Sequence, residues 1–134
     1  MIGQYEIGAL RRAMRGIAEL KGPFTLFALF RREAYGPWDL VVSAPWLEKG
    51  KLKAVGEFVR LLSDRIGEET VKEFGRIATV PRNDTFVKFL LDNLPIEDGE
   101  LRVSSSDLQK LNVQEGIILR AKDWNSGSIG NTAT

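Results

Sequence analysis

The chain has 134 residues and almost balanced charge, with 19 Lys and Arg against 18 Asp and Glu and a formal net charge of +1. This length fits one domain, and 43% hydrophobic residues are enough to build a single core. The sequence contains no histidine and no cysteine, which excludes zinc fingers, disulfide frameworks, cysteine nucleophiles and serine–histidine–aspartate triads. Chemistry near pH 7 would therefore need carboxylates, Lys, Tyr, Ser or Thr, or a hard metal ion on oxygen ligands.

The sequence predicts a cytoplasmic protein that does not enter a membrane. Its longest apolar run, residues 23–30, is far shorter than the ~20 residues of a membrane span. We find no signal peptide, and the absence of cysteine agrees with a reducing compartment.

The first third of the chain predicts a helix followed by a β-hairpin. Residues 5–21 carry apolar side chains at three- and four-residue spacing, which is typical of an amphipathic helix: Ile7, Leu10, Ala13, Met14, Ile17 and Leu20. Gly22 and Pro23 end this helix. The apolar run at 24–30 is typical of a central strand covered on both faces. A turn at 33–37 leads to a second strand at 38–44, and so short a connection predicts antiparallel pairing.

The rest of the chain predicts four further helical segments and three strands. A second long helix is predicted from its apolar positions: Leu47, Leu52, Val55, Phe58, Val59, Leu62 and Ile66. After Gly67 we predict a short helix at 68–74, a strand at 76–80, a helix at 85–93 capped by Asn83 or Asp84, a strand at 100–104, a helical turn at 105–111 and a strand at 114–122. Residues 125–134 have loop composition and predict a flexible tail.

Together these elements predict an α/β (α+β) fold with residues 1–124 as a single compact domain. The strands form a mixed sheet of four or five members that includes the N-terminal β-hairpin. The long helix between the second and third strands predicts a crossover that leaves those two strands parallel. Because the first strand is apolar on both faces, we expect helices to pack on both sides of the sheet.

Glu33 and Asp39 are the candidate metal ligands. Pro37-Trp38-Asp39 at the head of a strand resembles the Pro-x-Asp motif of a broad class of magnesium-dependent nucleases, in which a following Glu-x-Lys completes the site. Here the Glu-x-Lys, residues 19–21, precedes the aspartate and lies at a helix end. The alternative is that Asp39 caps a turn or pairs with Arg31 or Arg32. We therefore predict no catalytic residue, cofactor or metal, and keep the nuclease-like site as an alternative.

A second candidate is a nucleic-acid surface around the hairpin. Residues 1–32 hold six basic and two acidic side chains, a local charge of +4, whereas the remaining 102 residues carry 13 basic and 16 acidic side chains, or −3. Arg31 and Arg32 flank a turn that contains Tyr35 and Trp38. Aromatic rings beside guanidinium groups are where unpaired bases stack.

A third candidate is a contact surface for another protein. Tyr35, Trp38, Trp46 and Trp124 would be anchors of the kind found at interface centres if they are not all buried. Glycine-rich phosphate loops and a nucleophile elbow are absent. We therefore predict a non-enzymatic protein–protein interaction or self-associating module, with a nucleic-acid-associated domain as the alternative. The predicted binding residues are Arg31, Arg32, Tyr35, Trp38 and Trp46.

Overall fold

The computed structural model describes residues 3–106, 108 and 113–123. Its elements in chain order are α1 (Gln4–Lys21), β1 (Leu26–Arg31), β2 (Asp39–Ser43), α2 (Pro45–Ile66), α3 (Glu68–Lys72), β3 (Arg76–Thr79), α4 (Thr85–Asn93), β4 (Leu101–Ser104) and β5 (Glu115–Ala121). Most of the predicted helical turn at 105–111 lies outside the described residues, as do Trp124 and the predicted tail at 125–134.

The five strands form one mixed sheet in the order β3-β2-β1-β5-β4. The hairpin strands β1 and β2 are antiparallel, with Leu29 opposite Leu40. β5 is antiparallel to both β1 and β4. β2 and β3 run parallel with Asp39 opposite Arg76, which confirms the relation predicted from the long helix between them. The predicted α+β class, single domain and mixed sheet are confirmed.

Side chains of β1 are buried on both faces of the sheet, because β1 is the central strand. Phe27 and Leu29 belong to a core cluster with α1 and α2, whereas Ala28 and Phe30 belong to a second cluster with α4. Edge-to-face contacts tie the first cluster together, with the Phe27 ring 6.3 Å from that of Phe58 on α2. The apolar run in the sequence is thus explained by burial on two faces.

Two helices end at a glycine and one begins at an aspartate, as the sequence predicts. Gly22 and Gly67 follow α1 and α2 with φ of 113° and 90°. Residues that carry a Cβ rarely adopt such positive φ values. The Asp84 carboxylate caps α4 by accepting the backbone N–H of Phe86 at 2.8 Å. Local chain chemistry therefore determines these boundaries.

The second long helix differs from its prediction because it is broken near its start. Lys51 has φ 53° and ψ −135°, which is not helical, so residues 45–50 form a separate first turn. The apolar periodicity places Leu52 in the core, but its side chain, directly after the break, is 87% exposed. Leu20, at the end of α1, is also predicted to be buried and is 62% exposed.

In the described part of the chain, no helix combines the length and the apolar character that crossing a membrane requires. The cytoplasmic placement stays a prediction.

Candidate functional site

The predicted binding residues lie at opposite ends of β2. Arg31, Arg32, Tyr35 and Trp38 surround the end at which β2 begins, while Trp46 follows the end at which it stops. The two ends of this five-residue strand are about 13 Å apart, because each strand residue advances the chain by about 3.3 Å. We call the first region the hairpin corner, which comprises Arg31, Arg32, Tyr35, Trp38, Asp39 and Arg76. The second is the Trp46 cleft.

On the α1/α2 face of the hairpin corner, Trp38 lies beneath Arg31. The Arg31 guanidinium carbon is 4.4 Å from the centroid of the Trp38 ring, and its Nε donates to Glu115 Oε1 at 2.6 Å. Trp38 is only 8% exposed and joins the α1/α2 core cluster. Its ring face is therefore occupied by an arginine that already has a carboxylate partner.

On the opposite face of the corner, two arginines share the Asp39 carboxylate. Asp39 Oδ2 lies 3.5 Å from Arg32 Nη2 and 3.3 Å from Arg76 Nε. This confirms the pairing of Asp39 with Arg32 that the sequence offered as an alternative. Arg76 was missed, because it approaches Asp39 only through the parallel pairing of β2 with β3. No local pattern in the sequence reports that contact.

Glu33 and Asp39 both line a small pocket of about 310 Å³ at this corner. The Asp39 carboxylate there already balances two guanidinium charges. Within the described ranges, no group of three or more carboxylates is placed to hold a metal ion. Among the described residues, this corner therefore holds two candidate magnesium ligands, Glu33 and Asp39, and no third.

Tyr35 is the exposed aromatic residue of the corner. It lies in the turn between β1 and β2, where the Gly36 N–H donates to the Glu33 carbonyl at 3.0 Å, and its side chain is fully exposed. Among the aromatic residues predicted for this corner, Tyr35 is accessible and Trp38 is buried.

The Trp46 cleft is a cavity of about 720 Å³ at the end of the sheet where β2 and β3 stop. Residues 21–23, the first turn of α2 and Arg82 line it. These segments are the end of α1, the start of α2 and the segment after β3. In sheets with parallel strands, ligands bind beyond the carboxyl ends of those strands.

Trp46 is partly buried in this cleft and carries an unpaired polar atom. Its ring is 6.3 Å from both Phe24 and Phe58, and Lys21 Nζ lies 5.3 Å from its centroid. Trp46 Nε1 and Ser43 Oγ are the buried side-chain atoms without a hydrogen-bond partner in the described part of the protein. An unmade buried hydrogen bond costs about 1–3 kcal/mol, and both such atoms occur at this end of β2.

Two cations that line the cleft are held by carboxylates. Lys21 Nζ is 3.0 Å from Glu57 Oε1. Arg82 donates its guanidinium to Asp123 Oδ2 at 2.7 Å and its backbone N–H to Glu48 Oε2 at 2.9 Å. Glu48, Arg82 and Asp123 come from three parts of the chain, and the contacts among them therefore hold Arg82 and the Glu48 carboxylate in place.

Three lysines near the start of α2 have no such restraint. Lys49, Lys51 and Lys53 are all exposed, and none of them makes an ion pair with another described residue. Lys49 lines the Trp46 cleft, and Lys51 lines an adjoining cleft of about 300 Å³. Glu48 borders both clefts. The sequence analysis included Trp46 but missed these lysines, since a mixed-charge helix surface is ordinarily just solvated.

Comparison of the chain with protein-family models, with curated protein sequences and with solved structures finds no match.

Proposed function

We propose that the chain is a non-enzymatic protein-interaction module and that the Trp46 cleft is its contact surface. The observation that carries this proposal is the exposure of Leu20 and Leu52. Both belong to helical apolar stripes, yet their side chains are 62% and 87% exposed. Leu20 directly precedes the cleft residue Lys21, and Leu52 directly follows Lys51 of the adjoining cleft.

Neither leucine lines a cleft, but each lies next in sequence to a lining residue, so a partner that fills the cleft and extends past its edge would cover them. Burying an exposed Leu side chain contributes about 1.5–3 kcal/mol. Tryptophan is among the residues enriched where binding energy concentrates. The cleft itself combines the apolar surface of Pro23, Pro45 and Trp46 with cations, which resembles the apolar centre and polar rim of protein interfaces.

The hairpin corner supports the nucleic-acid alternative less well. Phosphate binding needs cations that are free to exchange their counterions. Arg31 is paired with Glu115, and Arg32 and Arg76 share Asp39. The ring of Trp38 lies under Arg31, which leaves Tyr35 as the accessible ring of the corner.

Selection from a display library of short random peptides tests the proposal. We expect the wild-type protein to enrich a sequence family that the double variant Leu20→Ser/Leu52→Ser no longer binds. Because both side chains are exposed, the variant should fold normally, which circular dichroism checks. Tyr35→Ser is the matched control, since it removes an exposed side chain at the opposite end of β2.

Loss of binding in Tyr35→Ser, with full binding in the double variant, would move the interface to the hairpin corner and contradict the proposal. A library that yields no enriched family would also contradict it. Light scattering tests whether the protein binds a second copy of itself. A dimer that dissociates in the double variant identifies the partner as another copy of this chain. A monomer at tens of micromolar would assign the cleft to a different protein.

A further inference from the structure

We infer that the Trp46 cleft takes an acidic, extended peptide segment of another protein, with an apolar side chain seated beside Trp46. This inference rests on the proposed function and specifies the chemistry of its ligand.

The charge at the cleft favours an acidic ligand. Lys21, Lys49 and Arg82 line it beside Glu48, but Lys21 and Arg82 are already paired with Glu57 and Asp123. The Glu48 carboxylate accepts the Arg82 backbone N–H, so part of its hydrogen-bonding capacity is already used. Lys49 has no ion-pair partner among the residues that the structure describes. An incoming carboxylate would therefore meet an uncompensated cation.

The break in α2 places two free lysines along one path. In an unbroken helix, Lys49 and Lys51 would lie about 200° apart, because successive residues are separated by about 100°. With Lys51 non-helical, Lys49 lines the Trp46 cleft while Lys51 lines the adjoining cleft. Since Glu48 borders both clefts, they form neighbouring parts of one groove.

The shape of this groove suits an extended chain. It runs from Pro23 past Trp46 and Glu48 to Pro81 beyond β3. Its two parts have volumes of about 720 and 300 Å³. Pro23, Pro45 and Trp46 supply rigid apolar surface that can receive an aliphatic or proline side chain.

Fluorescence polarisation with three labelled peptides tests the inference. One peptide alternates glutamate with proline and leucine, the second replaces glutamate with glutamine, and the third replaces glutamate with lysine. We expect binding of the glutamate peptide alone, weakening as salt rises. The double variant Lys49→Glu/Lys51→Glu should lose about tenfold in affinity for it and gain binding of the lysine peptide. Lys88→Glu is the control, since it reverses an exposed lysine on α4, across the sheet.

The outcomes separate this inference from the proposed function. Equal binding of the glutamine peptide, or a display library that enriches neutral sequences, would overturn the acidic ligand and leave the interaction module standing. Binding of none of the peptides, together with an unenriched library, would overturn both. If vesicles containing phosphatidylserine bind the wild type while the peptides do not, the surface is a membrane contact and the peptide inference is wrong. An equal loss of affinity in Lys88→Glu would also overturn it, because net charge alone would then explain the effect.

Discussion

Asp39 is a nearly buried carboxylate. Its charge is balanced by two arginines, each at the end of a neighbouring strand. Arg32 follows β1 and Arg76 begins β3, so the ion pairs connect three neighbouring strands at one end of the sheet. Gly75 permits this arrangement, because a Cβ at that position would lie 2.8 Å from Asp39 Oδ1. These contacts indicate that Asp39 has a structural role.

Replacing Asp39 with asparagine should lower the free energy of unfolding by about 1 kcal/mol. The change removes the charged acceptor of Arg32 and Arg76, but both guanidinium groups are largely exposed and regain water. Urea denaturation measures the loss. Glu33→Gln, in the exposed turn between β1 and β2, is the control and should change stability by less than about 0.5 kcal/mol.

The Asp39→Asn variant also tests whether the hairpin corner binds Mg²⁺. We expect Mg²⁺ to leave the melting temperature of the wild type unchanged, because Asp39 is already paired with two cations. A Mg²⁺-dependent rise that disappears in Asp39→Asn would identify a metal site and contradict the structural role.

At the scale of elements, α2 shows how one strained residue changes a surface. Lys51 occupies a region of backbone conformation that favours glycine. Gly50 sits against the following turn, where a Cβ at 50 would lie 2.5 Å from Ala54 Cβ. The break separates the turn that carries Trp46 and Lys49 from the rest of the helix, whose first residue, Leu52, is exposed.

Lys51→Gly should raise the free energy of unfolding by about 1 kcal/mol, because it relieves the strained backbone. Lys53→Gly, two residues later within the regular helix, should lower it by about 1 kcal/mol. Chemical denaturation of both variants gives the comparison. If Lys51→Gly is as destabilising as Lys53→Gly, residue 51 is helical in solution. Lys49 and Lys51 then do not lie along one groove.

At the scale of the whole molecule, one sheet serves two cores. Phe58 of α2 is buried against one face and Leu90 of α4 against the other, while β1 contributes side chains to both. Because the central strand is common to the two cores, neither can lose its packing without exposing the other.

We therefore expect a single cooperative unfolding transition, even when either core is weakened. Phe58→Ala should lower the free energy of unfolding by about 3–5 kcal/mol and Leu90→Ala by about 2–5 kcal/mol. Far-ultraviolet circular dichroism and tryptophan fluorescence should report the same midpoint for each variant. Separate midpoints in Leu90→Ala would show that the α4 face unfolds independently.

The sequence alone determined the elements whose causes are local. The apolar run ahead of Arg31 predicted a central strand, the short turn predicted an antiparallel hairpin, and Asp84 predicted the start of α4. Each of these features depends on residues within one or two turns of the chain. The parallel relation of β2 and β3 also followed, because a long helix between strands restricts how they can pair.

Only the tertiary structure decided where the candidate sites lie. Arg76 reaches Asp39 across 37 positions of sequence, and the Trp46 cleft draws together residues 21–23, the start of α2 and Arg82. The hydrophobic periodicity also assigned Leu20 and Leu52 to the core, although both are exposed, one at the end of α1 and the other directly after the break in α2. Periodicity and capping report interactions between near neighbours in the chain. Which distant side chains meet depends on strand register and on how helices pack across the sheet, and those are properties of the whole fold.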